Sequence, residues 1–295
     1  MSEKTVATAK QYRKTNQWAD IWRRLKQSKP AVAGFVIFVL LCLMAITAPL
    51  FLNYETDVIR IDVMNRLQPP SAENIFGTDE LGRDVFSRVV WGSRNSLAIA
   101  FIIVAFSLVI GCTIGSTAGY FGGVYDNVVM RIMDIFQAIP GILLAITIVA
   151  ALGPNIRNLI IALVVSTCPA FARVVHGPVL TIREVEYIEA AKAIGAKSGT
   201  IITSHVLPNC LAPIIVYSTL LVANMILSVA GMSFLGLGIQ PPAPEWGSML
   251  SAGRSFIRDH SYLTFFPGLA IMITILSLNL LGDGLRDALD PRLKK

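Results

Sequence analysis

Residues 181–208 read TIREVEYIEAAKAIGAKSGTIITSHVLP, the one long polar excursion in the second half of an otherwise apolar stretch of chain. An apolar segment ends near Pro178 on one side, and residues 198–244 contain no Asp, Glu, Lys or Arg on the other. Within the excursion, Glu189-Ala190-Ala191 opens a helix on small residues. Gly195 suits a helix C-terminus, Ser198 is placed to cap a second short helix, and Leu207-Pro208 supplies a stop. Ile182, Val185, Ile188, Ala191 and Ile194 recur every three residues, consistent with one helix face. The segment is expected to form a compact helix-turn-helix between two membrane segments, a shape suited to inserting into a partner.

The rest of the chain is read outward from this hairpin. It has 295 residues, is 54% hydrophobic and 15% charged, and has a mean hydropathy of +0.63. A soluble domain carries about a quarter charged residues. The charges are also segregated, with none in 30–54, 95–125, 135–156, 198–244 or 260–282. Because roughly 20 apolar residues cross a hydrocarbon core, the fold class is all-α, a polytopic transmembrane helical bundle of six helices.

The net charge of +6 lies within the first thirty residues, where eight Lys/Arg face Glu3 and Asp20. Basic residues before a first membrane helix place the N-terminus in the cytoplasm. They fit contact with anionic lipid and are no nucleic-acid signal. The apolar run 31–52 is longer than the 7–15 residues or so of a signal-peptide core, and is read as a retained helix. Cys42, Cys112, Cys168 and Cys210 lie singly in apolar segments, as packing residues.

The expected order is helix 31–52, an outer loop 53–93, helix 95–119, a turn at Gly122-Gly123, and helix 127–152 kinked at Pro140-Gly141. Helix 156–178, the 181–208 excursion, helix 211–232, an outer segment 233–260 and helix 261–282 follow. Six crossings put both termini inside. The corresponding division is a basic segment 1–30, a first helix and loop 31–92, a main membrane domain 93–282 and a polar tail 283–295. Gly111, Gly115 and Gly119 share one helix face, where another backbone can approach closely. Arg131 and Asp134 stand one turn apart, within reach as an ion pair, and Arg173 is expected to snorkel toward the cytoplasm. Asn224 is expected to bond across helices, and Trp246, beside Pro241, Pro242 and Pro244, suits a water–membrane boundary. Asp79, Arg83, Asp84 and Arg88 form a candidate outward ion-pair network, with 80/84 and 84/88 four apart. His176, His205 and His260 flank different segments and carry no metal-site pattern.

Residues 189–208 resemble the EAA loop of ABC importer permeases, E-A-A-x3-G-x9-I-x-L-P, at every position except the isoleucine, which is His205 here. Residues 76–88 (FGTDELGRDVFSR), 119–123 (GYFGG), 233–247 (SFLGLGIQPPAPEWG) and 279–291 (NLLGDGLRDALDP) are similar to the second permease of dipeptide, oligopeptide and nickel importers. Five ordered blocks cover most of the chain from about residue 18. The resemblance implies a type I ABC importer permease fold in a bacterial cytoplasmic membrane. It implies a heterodimer with a second, homologous permease, two ABC ATPase subunits and an extracytoplasmic substrate-binding protein. It makes Glu189, Ala190, Ala191, Gly195, Leu207 and Pro208 the ATPase-coupling residues, with Ala190 and Ala191 keeping one face thin. Arg131, Asp134, Asn224 and Trp246 are candidates for the substrate path or gate.

ATP and Mg2+ are expected in the partner subunits. No G-x-x-x-x-G-K-[ST] occurs, and Gly195-Ala196-Lys197-Ser198 lacks the P-loop's glycines. The implied cargo is di- or oligopeptides, with nickel, glutathione or antimicrobial peptides as alternatives in the same family. From other classes, an ion-coupled secondary transporter needs deep titratable groups, which only the Arg131–Asp134 region offers. A structural scaffold leaves the coupling loop without a purpose.

Overall fold

The structure is a computed structural model that describes residues 17–290; the expected basic residues at 4–14 and the tail from Pro291 lie outside them. α1 (Gln17–Leu25) is a short amphipathic helix, joined by an elbow to α2 (Lys29–Phe51). Ser28 caps α2, its Oγ accepting from Ala31 N–H, and Pro30 occupies the first turn, where no N–H is required. Leu25, Ala31, Leu281 and Ala288 form a small buried cluster that ties α1 and α2 to the last helix. The opposite face of α2 is bare, with Ile46, Leu50 and Phe51 exposed.

α3 (Val85–Phe121) is 37 residues long and starts ten residues before the expected 95. The reason is Asp84, whose carboxylate accepts from Ser87 N–H at 2.7 Å and starts the helix ahead of the charge-free run. α4 (Gly123–Gln137) and α5 (Gly141–Leu152) are one expected helix broken in two. The bend at Ala138–Pro140 is 83°, far beyond a kink. α6 (Ile156–Ile182) runs through Pro169 and Pro178 and stops four residues beyond the expected end. α7 (Glu186–Ala193) and α8 (Ser198–Ile201) form the excursion, and α9 (Leu211–Phe234), α10 (Trp246–Gly253) and α11 (Tyr262–Leu289) complete the chain. α11 continues through the expected polar tail to Leu289, because Leu281, Gly284, Leu285 and Ala288 keep one face against α1 and α2. The expected boundaries at 92/93 and 282/283 therefore fall inside helices.

Among the described residues, five helical runs are long and apolar enough to cross a membrane, and the bent α4–α5 pair is a sixth if its arms count as one span. The tightest seam joins α3 to α6. A Cβ at Gly111 would lie 2.7 Å from Phe171 Cβ, and one at Gly119 2.9 Å from Val179 Cγ1. At Gly115 it would overlap the Ala172 carbonyl oxygen. Three glycines on one face thus let α3 lie directly on the α6 backbone. The main core gathers α3, α5, α6 and α9, and it includes Ile188, Ala191, Ile201, Ile202 and Val206 of the excursion.

Candidate functional site: a coupling loop and two polar layers

The 181–208 excursion begins where Arg183 caps α6 and Val185 N–H turns back to Ile182 C=O at 3.1 Å. Glu186 and Glu189 occupy the first turn of α7 and Lys192 the last, each sign favourable to the helix dipole. The helix ends in a Schellman motif: Gly195 N–H bonds Lys192 C=O at 3.0 Å, and Ala196 N–H bonds Ala191 C=O at 3.1 Å. Gly195 has φ +83°, and a Cβ added there would meet nothing within 4 Å, so glycine is required by the backbone alone.

α7 has two unlike faces. Ile188 and Ala191 are buried on the chain's own core. Glu186, Glu189, Ala190 and Ala193 face outward, and Ile194 is 85% exposed. The expected three-residue apolar stripe therefore fails at two positions: Val185 and Ile194 are exposed, since α7 starts after the first and stops before the second, whereas Ile182, in the last turn of α6, packs against the core. Ala191 likewise faces the core, so of the two expected alanines Ala190 alone lies on the outer face, where Ala193 joins it.

The second limb also differs from expectation. Ser198 is the first residue of α8; Lys197 holds the cap position without a side-chain bond. Pro208 does not stop the chain. A π turn over Ile202–Val206 sends Leu207 N–H back to Ile202 C=O, and a 3-10 turn over Leu207–Cys210 leads into α9. The change of hydrogen-bond register makes room for a residue without an N–H. His205 is exposed, and its carbonyl accepts from Asn209 Nδ2 at 2.6 Å.

A polar layer joins α4 to α6. Asp134 pairs with Arg173, not with Arg131 as sequence spacing suggested, and both side chains stay about half exposed. His176 Nε2 and Asp126 Oδ1 lie 2.7 Å apart. Arg131 is exposed on the same helix. Asn224 does not bond across helices; its Nδ2 turns back to Leu220 C=O at 3.1 Å on an exposed face of α9.

A second layer closes the opposite end. Asp79, not Asp84, is its hub, accepting from Leu81 N–H, Arg83 N–H and Arg83 Nε at 2.7–3.0 Å and facing Arg88 Nε at 3.4 Å. Arg83 and Arg88 are buried, so the expected solvated network is a buried one. Arg88 Nη1 reaches the carbonyls of Val58 at 3.1 Å and Pro242 at 3.5 Å, joining two loops. Trp246 is fully buried, not at a boundary, and its indole N–H donates to Val89 C=O at 2.9 Å. Glu245 caps α10, accepting from Gly247 and Ser248 N–H at 2.8 Å each. Burial raises its pKa above the ordinary carboxylate value, against the pull of those bonds.

The structure thus gathers Glu189, Ala190, Ala191 and Gly195 on one short helix and its cap, with Leu207 and Pro208 on the second limb. It keeps Asn224 and Trp246 apart from Arg131 and Asp134. Sequence reading missed Glu245, although an acidic residue just before a helix start is a capping signal. It also missed the partners of His176 and Arg183, for which no local pattern exists.

The bundle resembles solved ABC importer permeases in fold. The inward-facing MetNI methionine ABC transporter superposes with a TM-score of 0.55 at 22% identity, covering 69% of this chain and 96% of that one. Residues 111–295 match the family described as binding-protein-dependent transport system inner membrane component, and residues 16–70 match the N-terminal membrane domain of oligopeptide transport permease C. The chain belongs to this permease family. It is 48% identical to the dipeptide transport system permease protein DppC of Alkalihalophilus pseudofirmus, over 96% of this chain and 93% of that protein. It is 43% identical to the glutathione transport system permease protein GsiD of Pectobacterium atrosepticum, over 94% and 92%. The protein is therefore a multi-pass inner-membrane transport subunit of an ABC importer, a class that works with ATPase and substrate-binding partners.

Proposed function

We propose that this chain forms half of the translocation path of a short-peptide importer. It pairs with a second, similar permease, and receives cargo from an extracytoplasmic binding protein. Two ATPase subunits hold the ATP and Mg2+ and grip the 181–208 loop. The observation that carries the coupling role is the outer face of α7, where Glu189, Ala190 and the 85%-exposed Ile194 project from a helix whose other face is locked into the bundle. Val185 and Tyr187 are exposed as well, so the loop leaves three large apolar side chains bare, more than the single scattered residue that needs no partner. ATPase closure then displaces α7, and with it α6 and α9, as rigid-body gating.

The peptide cargo is supported by the dipeptide permease relative, and glutathione by the second relative, itself a permease for a small peptide-like thiol. The basic flank Arg23, Arg24, Lys26 and Lys29 supports a cytoplasmic N-terminus. Cysteines placed in 55–90 or 241–258 are then labelled from outside, and those at Lys192 or Lys197 are not.

The coupling role is tested with Glu189→Lys and Gly195→Val in the assembled transporter. The first reverses a charge that favours the α7 dipole. The second forces a β-branched residue to a positive φ, at a cost of at least about 1–2 kcal/mol. Both insert normally, because no spanning segment changes. ATPase subunits co-purify poorly, or hydrolyse ATP without uptake. Wild-type stoichiometry and uptake in both variants refute the coupling role.

A further inference from the structure

The sequence block GYFGG, residues 119–123, has no part in the coupling loop, yet the fold sets it against that loop. Gly119 lies in the last turn of α3, where carbonyls have no helical partner. Arg183 Nη1 donates to Gly119 C=O at 2.8 Å, supplying a cation at the helix's negative end. Gly122 has φ +65°, and a Cβ there would lie 2.5 Å from the same guanidinium nitrogen. Glycine is thus needed for the turn and for the approach of Arg183. Further along the loop, in the last turn of α7, Lys192 Nζ stands 5.2 Å from the ring centroid of Tyr120, a buried residue of the main core. The corner is therefore held from both ends of the loop's first limb, by the cap of α6 and by the last turn of α7.

The element beyond the corner is built differently from the others. α4 has no buried residue, and its apolar side chains Val124, Val128, Ile132 and Ile135 are exposed. Directional polar contacts hold it: His176 to Asp126, and Arg173 to Asp134, the latter pair half exposed. A helix that buries no residue fully, with Val129, Met130 and Met133 only partly buried and a few polar contacts to hold it, belongs to the low-stability end of a structure, where moving elements are found. At its far end the chain turns by 83° into α5, which does pack in the core through Ala145 and Val149.

We propose that the α3–α4 corner is a relay: Arg183 and Lys192 are positioning residues that carry displacement of the coupling loop through the last turn of α3 to α4, which moves as a gate element while the rest of α3 and α5 stay packed. This rests on the coupling reading above and adds the route by which the motion leaves the loop. Arg183 and Lys192 pull on two consecutive residues, Gly119 and Tyr120, whose backbone continues through paired glycines at positive φ into α4. A loop displacement therefore swings α4 about Gly122-Gly123 and strains the α4–α6 pairs, which re-form in a new register.

The test uses the complete transporter in liposomes, with Arg183→Gln, Lys192→Gln and the double variant, and Arg183→Lys as the conservative change. ATPase subunits should co-purify at the wild-type ratio, and ATP hydrolysis should persist. Uptake per ATP should fall about tenfold in the double variant and be partly restored in Arg183→Lys. A second readout separates a relay from a structural role. Spin labels replace Val128 on α4 and Lys197 on the loop, each paired with one at Val109 on α3, in a background without the four native cysteines. On trapping with ATP and vanadate, both distances should change in the otherwise wild-type protein. In the double variant the Lys197 distance should still change and the Val128 distance should not. If Val128 follows the loop in the double variant, or uptake per ATP is unaltered, the relay is refuted. If the Lys197 distance is unchanged on trapping even without Arg183 and Lys192 altered, the coupling reading itself fails, and the relay falls with it.

Discussion

Substitution of Gly115 isolates the α3–α6 seam. A Cβ there would overlap the Ala172 carbonyl oxygen and lie 3.0 Å from its carbon and 3.1 Å from Val175 Cβ. The obstacle is backbone, which cannot rotate aside, so the two helices must separate. Gly115→Ala gains about 1 kcal/mol of helix propensity and loses about 3 kcal/mol at the upper end of overpacking, a net loss of about 2 kcal/mol. Gly115→Leu also opens the Gly111 and Gly119 contacts, and should cost about 3 kcal/mol or more. At about 2–4 °C per kcal/mol for a chain of this order of size, the expected fall in Tm is about 4–8 °C for Ala, and larger for Leu. Gly231, inside α9 with nothing within 4 Å of a Cβ, is the control. Gly231→Ala should leave Tm unchanged or raise it, through about 1 kcal/mol of propensity. The assay is thermal unfolding of the purified complex followed by intrinsic fluorescence. A Gly115→Ala variant as stable as Gly231→Ala would refute the close-packed seam.

Three further outcomes follow from the layer built on Asp79, Arg88, Glu245 and Trp246. Trp246→Ala should cost about 3–5 kcal/mol, because the ring is fully buried, and Trp246→Phe markedly less; equal Tm values for wild type and Trp246→Ala would remove the anchoring role. Glu245 has a raised native pKa, so the folded state binds more protons than the unfolded one between the ordinary carboxylate range and that raised value. Its stability contribution therefore falls as pH rises through that window, and the measurement is Tm against pH, where Glu245→Gln should flatten the slope. Arg88→Gln should weaken charged hydrogen bonds to Val58 and Pro242 by about 1.5–3 kcal/mol and speed proteolysis within 53–84; unchanged cleavage would show that Arg88 does not hold the two loops together.

Much of the molecule is legible without coordinates, for reasons that are local. Charge-free runs longer than a bilayer mark the spans α2, α3, α9 and α11, because desolvating a charge is costly anywhere along them. Four-residue glycine spacing marks the α3 seam, because it follows from helix periodicity alone. Gly195 marks the end of α7, because few other residues accept its φ.

What only the tertiary structure decided depends on meetings between distant residues. Asp134 had two cationic candidates; spacing favoured Arg131, and the fold brought Arg173. Trp246 fits a membrane boundary by composition and is instead the core of a cap, because α10 folds back onto α3. The length of α11 depended on an N-terminal helix covering one face of Asp283–Leu289. Pro208 reads as a stop, but a π turn before it absorbs the missing N–H. Local backbone preference and solvent transfer act on a residue through its neighbours in sequence, and so can be read there. Partner choice among charged and aromatic side chains is set by which helices pack together, which no single segment contains.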